Sequence, residues 1–151
     1  MTSCRARLLH WQRSILCPSL FFFLDVTSRG DWFYSLPLSL SRCASRGDMD
    51  GLLGLLANDI VIYADSGGKA PAARHPICGA DRVARYLLGL VRKAPEDFRF
   101  RVALINGQPG MIFYRNGVSA VLLTLEMLDG QIWEIDLIAN PDKLQGVPAL
   151  N

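Results

Sequence analysis

The hydrophobic and polar positions change their period several times along the chain, and each change predicts an element. From position 36, Leu36, Leu38, Leu40, Cys43 and Ala44 can line one helix that ends near Gly47. Asp48 then predicts an N-cap, its carboxylate accepting from free N–H groups of the first turn of a second helix that reaches Ala57. Leu52, Leu53, Leu55 and Leu56 supply that helix with an apolar face, and Gly51 and Gly54 read as points of close approach to a neighbour. Alternation over Ile60 to Ala64, with β-branched residues, predicts a strand. A loop rich in Gly and Pro follows over 66–77. Val83, Tyr86, Leu87, Leu90, Val91 and Ala94 recur at helical spacing from Gly79, with Arg82, Arg85, Arg92 and Lys93 on the other face and Pro95 as the stop.

Period-two patterning takes over after Pro95. Phe98–Ile105, Met111–Tyr114, Val118–Leu128 and Gln131–Ala139 read as strands. Asn116-Gly117 and Asp129-Gly130 predict tight turns, because glycine accepts positive φ. Gly107 to Gly110 reads as a looser hairpin around Pro109. Two or three helices followed by an antiparallel meander predict an α+β roll, a curved sheet wrapped around a long helix with a pocket at its mouth.

The first thirty-five residues follow none of this. Arg5, Arg7 and Arg13 precede a ten-residue apolar run, Ile15 to Leu24, interrupted by Pro18. That run is short of the roughly 20 residues a membrane-spanning helix needs. It has the outline of a secretory signal but lacks a small-residue cleavage site after it. Residues 1–35 therefore read as an irregular extension or as extraneous text from a mistaken start or shifted frame. Residues 36–145 read as the domain and 146–151 as a tail.

A chain of 151 residues, half of them hydrophobic and a fifth charged, is one globular domain on size and composition. The formal charge of +2 is uneven. Residues 1–46 carry six Arg against Asp25 and Asp31, whereas residues 47–151 carry ten cations against twelve acids. An acidic domain has no electrostatic footprint for a phosphate backbone, so direct nucleic-acid binding is not expected. Cys4, Cys17, Cys43 and Cys78 form no metal-ligand spacing, and neither a metal nor a cofactor is expected. Cys43 and Cys78 read as small buried hydrophobes.

Acid–base chemistry in the mouth of the roll would need a carboxylate and a donor. Tyr63, Asp65 and Asp136 are the catalytic candidates, with His75 and Trp133 as further parts; Tyr63, Tyr86 and Trp133 are candidate pocket residues. In the last strand, Trp133, Ile135, Leu137 and Ala139 form one apolar face, which leaves Glu134 and Asp136 on the other, facing water. No pair of titratable groups is forced together by spacing, so the catalytic signal is weak and no enzyme is expected.

Two polar pentapeptides that close strands carry more. They are Asp65-Ser66-Gly67-Gly68-Lys69 and Asn140-Pro141-Asp142-Lys143-Leu144. Each alone reads as an ordinary strand-ending turn. Together, in this order, with Gly79-Ala80-Asp81-Arg82-Val83-Ala84-Arg85 and the segment 102–110 between them, they resemble the C-terminal SnoaL-like (NTF2-like) domain of SigJ-like extracytoplasmic-function sigma factors. There the first motif reads Asp-Gly-Gly-Gly-Lys, so Ser66 is a departure. The resemblance spans roughly residues 41–145; nothing in the chain resembles the promoter-binding domains.

That resemblance implies a cone-shaped roll in a cytoplasmic, bacterial protein. It implies a non-catalytic role in regulating transcription through contact with sigma-factor core domains or RNA polymerase, and a homodimer as a possible state. Asp65, Gly67, Gly68 and Lys69 would sit at the contact, and Asn140, Pro141, Asp142, Lys143 and Leu144 would anchor the C-terminal segment. SnoaL-like cyclases and the related isomerases use the same cone for chemistry, which makes a small-molecule enzyme or binder the alternative.

Overall fold

In the computed structural model, which describes residues 23–24, 32–68 and 75–149, three helices pack on one face of a seven-stranded sheet. The elements run β1 (Phe23–Leu24), α1 (Trp32–Arg46), α2 (Met49–Leu55), β2 (Leu56–Asp65), β3 (Ile77–Cys78), α3 (Ala80–Lys93), β4 (Arg99–Ile105), β5 (Gln108–Arg115), β6 (Val118–Leu128), β7 (Gln131–Ile138) and α4 (Pro141–Leu144). The strand order is β1-β4-β5-β6-β7-β2-β3. Every neighbouring pair is antiparallel except β2 and β7, which run parallel. This is the α+β roll that the patterning predicts. Helix α1 begins at Trp32, and the β1 backbone pairs with Ile105 and Leu104 of β4.

The meander is set by its turns. Asn106-Gly107, Asn116-Gly117 and Asp129-Gly130 all have positive φ at both residues, between 51° and 83°. That is the two-residue hairpin whose twist matches the strands it joins. The first of them corrects the expectation of a loose hairpin over 107–110. Pro109 and Gly110 lie inside β5, opposite Leu104 and Ala103. Gly110 belongs there because a Cβ would sit 2.6 Å from the Leu123 carbonyl oxygen.

The helical boundaries come from local chemistry. Asp48 accepts from the Gly51 N–H through Oδ1 at 2.9 Å, as the sequence predicts. Gly51 is the close-approach glycine: a Cβ there would meet Asp48 Oδ2 at 2.4 Å and Cys43 Sγ at 2.8 Å. Gly54 meets nothing within 4 Å, so the packing role expected for it is absent. Leu56 was expected to be helical but opens β2, its φ of −96° and ψ of 135° already extended. In α1, Leu36, Leu40 and Ala44 are buried while Leu38 is 42% exposed, because position 38 falls on the opposite side of a 3.6-residue turn. Cys43 is a half-buried free thiol, and Cys78 lies half-buried at the sheet edge.

Two cores occupy the two faces of the sheet. The helix-side core joins Leu36, Leu40, Leu52, Val83 and Leu87 to Ile60, Ile62, Leu123, Leu125, Ile135 and Leu137 of the strands. The contact between the helices and the sheet is thus made mainly by aliphatic side chains. The other face carries Ala103, Ile105, Ile112, Tyr114, Leu122 and Ile138, closed by Leu144 and Val147 from the C-terminal segment. Tyr114 donates its hydroxyl to the Pro148 carbonyl at 3.1 Å, and Ser119 donates to the Leu144 carbonyl at 3.3 Å. Burial pushes the Tyr114 phenol above its ordinary 10.0, with the Arg101 guanidinium beside it pulling the other way.

One bulge decides which β7 residue reaches the helix-side core. Glu126 pairs with Glu134 but Met127 pairs with Ile132, so Trp133 is the extra residue. Ile132 is fully buried in that core and Trp133 is only half-buried. The insertion reverses the simple alternation that would place Trp133 beside Ile135. Glu134 is 7% exposed rather than water-facing.

Gly51→Ala is expected to destabilise the fold by about 1–3 kcal/mol, because its Cβ strikes the capping carboxylate. Gly54→Ala is expected to stabilise it by about 0.5–1 kcal/mol, as an unobstructed helical glycine. Urea unfolding of both proteins checks the opposite signs. Because the folded Tyr114 pKa is raised, its contribution to stability is complete below pH 10 and is lost as pH rises through the folded value. Tyr114→Phe should flatten that alkaline fall in melting temperature.

Candidate functional site at the paired strand ends

Parallel pairing makes β2 and β7 leave the sheet at the same end. The register Tyr63↔Asp136, Ala64↔Leu137, Asp65↔Ile138 sets the two pentapeptides side by side although 78 residues separate Asp65 from Lys143. The Ala139 N–H donates to the Asp65 carbonyl at 2.7 Å, which carries the ladder one step past β7.

The Asp65 carboxylate then joins the two segments. Its Oδ1 accepts from the Gly67 N–H at 2.9 Å, an Asx turn, and its Oδ2 accepts from Lys143 Nζ at 2.5 Å. The Lys143 and Asp65 side chains are only 22% and 15% exposed, so the pair is shielded from most of the screening that weakens a surface ion pair. Lys143 is aimed back at Asp65 by the short helix α4. Asn140 caps that helix, accepting from the Asp142 N–H at 3.2 Å, while Pro141 supplies a preset φ at its first position.

Gly67 completes the join by having no side chain. Its φ is +59°, and a Cβ would lie 2.6 Å from the Asn140 side chain. Ser66 lies outside the positive-φ positions, and its Oγ accepts from the Gly68 N–H at 3.3 Å. The departure from an all-glycine motif therefore falls where a Cβ fits, and the glycine that the geometry requires is kept. Gly67, Gly68, Pro141 and Asp142 are exposed at the surface of this unit, and Leu144 is buried beneath it. Lys69 lies outside the described residues.

The catalytic candidates lie in the same paired strands, β2 and β7. Tyr63, Asp65 and Asp136 are on the sheet face away from the helices, since Ile60, Ile62, Ile135 and Leu137 occupy the helix-side core. Asp136 is half-buried and accepts from Thr124 Oγ1 at 3.5 Å, a long contact. Tyr86, on α3, packs against the helix-side core, whereas Tyr63 is on the far face and Trp133 is in the bulge. The three candidate pocket residues are not brought together. His75 is exposed. Among the described residues no group of three or more His, Cys, Asp or Glu could hold a metal ion, and no helix is long and apolar enough to cross a membrane.

Sequence reasoning found both motifs but missed the Asp65–Lys143 pair and the Ser119 and Tyr114 anchors. The available signal was one acid in the first motif and one lysine in the second, which has meaning only once the two strands are known to be neighbours.

No family model matches the chain. The chain is 35% identical over 119 residues to the ECF RNA polymerase sigma factor SigJ of Mycobacterium tuberculosis, covering 72% of this chain and 38% of that protein. It thus spans about two fifths of that relative. The crystal structure of SigJ superposes with a TM-score of 0.64 at 29% identity, over 79% of this chain and 46% of that one. An NTF2-like protein of unknown function from Mesorhizobium loti superposes with a TM-score of 0.51 at 16% identity, over 79% and 99% of the two chains, and shows the shared fold.

The join itself is open to test. Gly67→Ala is expected to cost about 1–3 kcal/mol, from positive φ and the collision with Asn140 together. A double-mutant cycle on Asp65→Asn and Lys143→Met should give a coupling energy of about 1–3 kcal/mol by chemical unfolding. With the motifs, the meander and the superposition in place, the chain has the NTF2-like fold and resembles the SnoaL-like domain of SigJ-like extracytoplasmic-function sigma factors.

Proposed function

We propose that this domain is a non-catalytic regulatory module that acts by protein contact, with sigma-factor core domains or RNA polymerase as its partner. The observation that carries the reading is the composite surface at the paired strand ends. Two motifs distant in sequence are held there as one rigid unit by the parallel ladder, the Asp65–Lys143 pair and the Gly67–Asn140 contact. Gly67, Gly68, Pro141 and Asp142 would make the contact. Asp65, Asn140, Lys143 and Leu144 would hold it in shape. A surface whose residues are locked before binding loses little conformational entropy on docking.

Two features support contact over chemistry. The helix-side core is aliphatic, and the buried polar residues Thr124 and Glu134 lie outside that cluster. The relative with 35% identity is a sigma factor, which by analogy supports a bacterial, cytoplasmic role in transcription.

One observation favours a second reading, a small-molecule binder that opens a site beside Tyr86 on the helix side of the sheet. The Tyr86 hydroxyl is buried, and no hydrogen-bond partner for it is present. A buried donor without a partner costs about 1–3 kcal/mol, which a polar ligand group would recover.

In vitro transcription discriminates between them. SigJ truncated to remove the region this chain resembles is the reporter, and the full chain is added in trans. Dose-dependent change in transcript yield, abolished by Asp142→Arg without change in melting temperature, is the expected result. An unchanged yield at large molar excess would sink the contact reading. A saturable thermal shift with polycyclic ketones, lost on Tyr86→Phe, would favour the second.

A further inference from the structure

Helix α3 presents a face that no described element uses. Val83, Ala84 and Leu87 are its buried side. On a helical projection Arg82, Arg85, Gly89, Arg92 and Lys93 fall together on the far side, and all four cations are exposed. Asp81 is the one acid of the helix, and it is already engaged by Arg85 at 3.0 Å. The stripe thus keeps an excess of positive charge along a helix about 21 Å long.

Gly89 makes the stripe more than a solvated face. It sits near the centre of the cationic set, in a helix interior where glycine is unfavourable, and a Cβ there would meet nothing within 4 Å. Among the described residues, nothing requires a glycine there. Its absent side chain leaves the helix backbone approachable at the middle of a charged strip. At the N-terminal end of the strip, a surface cleft of about 480 Å³ is lined by Leu53, Asn58, Cys78, Gly79, Asp81 and Arg82. No side chain caps the helix there, so its positive dipole end adds to the same field.

We propose that this face of α3 docks an acidic helical segment of a protein partner, crossing at Gly89 with its carboxylates against Arg82, Arg85, Arg92 and Lys93. Small residues at a crossing let two helices approach closely, and the flanking charges set orientation and on-rate. A phosphate backbone fits less well. Residues 47–151 carry more acids than cations, and Asp81 stands at one end of the strip. This surface is distinct from the strand-end unit, so the outcome below leaves the sigma-factor reading standing or falling on its own experiment.

The test uses the full chain and a fluorescein-labelled, glutamate-rich amphipathic helical peptide of about 20 residues, read by anisotropy at low and moderate salt. A proline-broken peptide of the same composition and a DNA duplex of similar length are the comparison probes. Saturable binding of the helical peptide is expected, weakened about tenfold or more by the double substitution Arg85→Glu, Arg92→Glu. Gly89→Leu should weaken it to a similar degree while raising the melting temperature, since the helix gains propensity and loses only the close approach. Four results would overturn the proposal: no binding, equal affinity for the broken peptide, tighter binding of DNA, or binding unchanged by Gly89→Leu. Sedimentation showing that the stripe seats a second copy of this chain would do the same.

Discussion

The parallel pairing of β2 with β7 is the constraint from which the rest of this structure follows. A parallel neighbour cannot be reached by a tight turn, so the chain between the two strands must cross over. That crossover consists of β3, α3 and the β4–β5–β6 meander, which returns β7 to the side of β2. The same pairing lets both strands end together, and only then can Asp65 accept from Lys143 and Gly67 make room for Asn140. A surface built this way is rigid because each of its two halves supplies what the other lacks.

Opposite faces of the sheet have become specialised. The helix side is lined with aliphatic residues from α1, α2, α3 and the inner faces of the strands. The outer side is sealed by the C-terminal segment through Leu144, Val147 and the carbonyls that Ser119 and Tyr114 bind. Because Lys143 directly precedes that segment, the ion pair at the strand ends and the cover over the outer sheet belong to one continuous stretch.

Much of the fold was legible beforehand, for physical reasons. Helices and strands with one apolar face announce their period, as α3 does through Val83, Leu87 and Leu90. Asp48 announces a cap because a short acceptor beside a free N–H has few other uses. Where local rules compete, they mislead. Pro109 suggests a looser hairpin around itself, yet Asn106-Gly107 takes the turn and leaves the proline in the strand. Trp133 was assigned to the inner face by alternation, and one inserted residue gave that place to Ile132. Bulges of this kind depend on how two whole strands fit, which no window of ten residues contains.

What the sequence determined by itself is therefore the principal helices and strands, the turns at Asn116-Gly117 and Asp129-Gly130, and the two motifs whose order marks the resemblance to SigJ. These are local properties: period, capping and the φ preferences of glycine and asparagine act within a few residues. Which strand lies beside which, that Asp65 and Lys143 form a pair, and that Ile132 displaces Trp133 from the inner face were decided by tertiary structure alone. Those outcomes turn on contacts across tens of residues, where burial of a common apolar face selects one register from many.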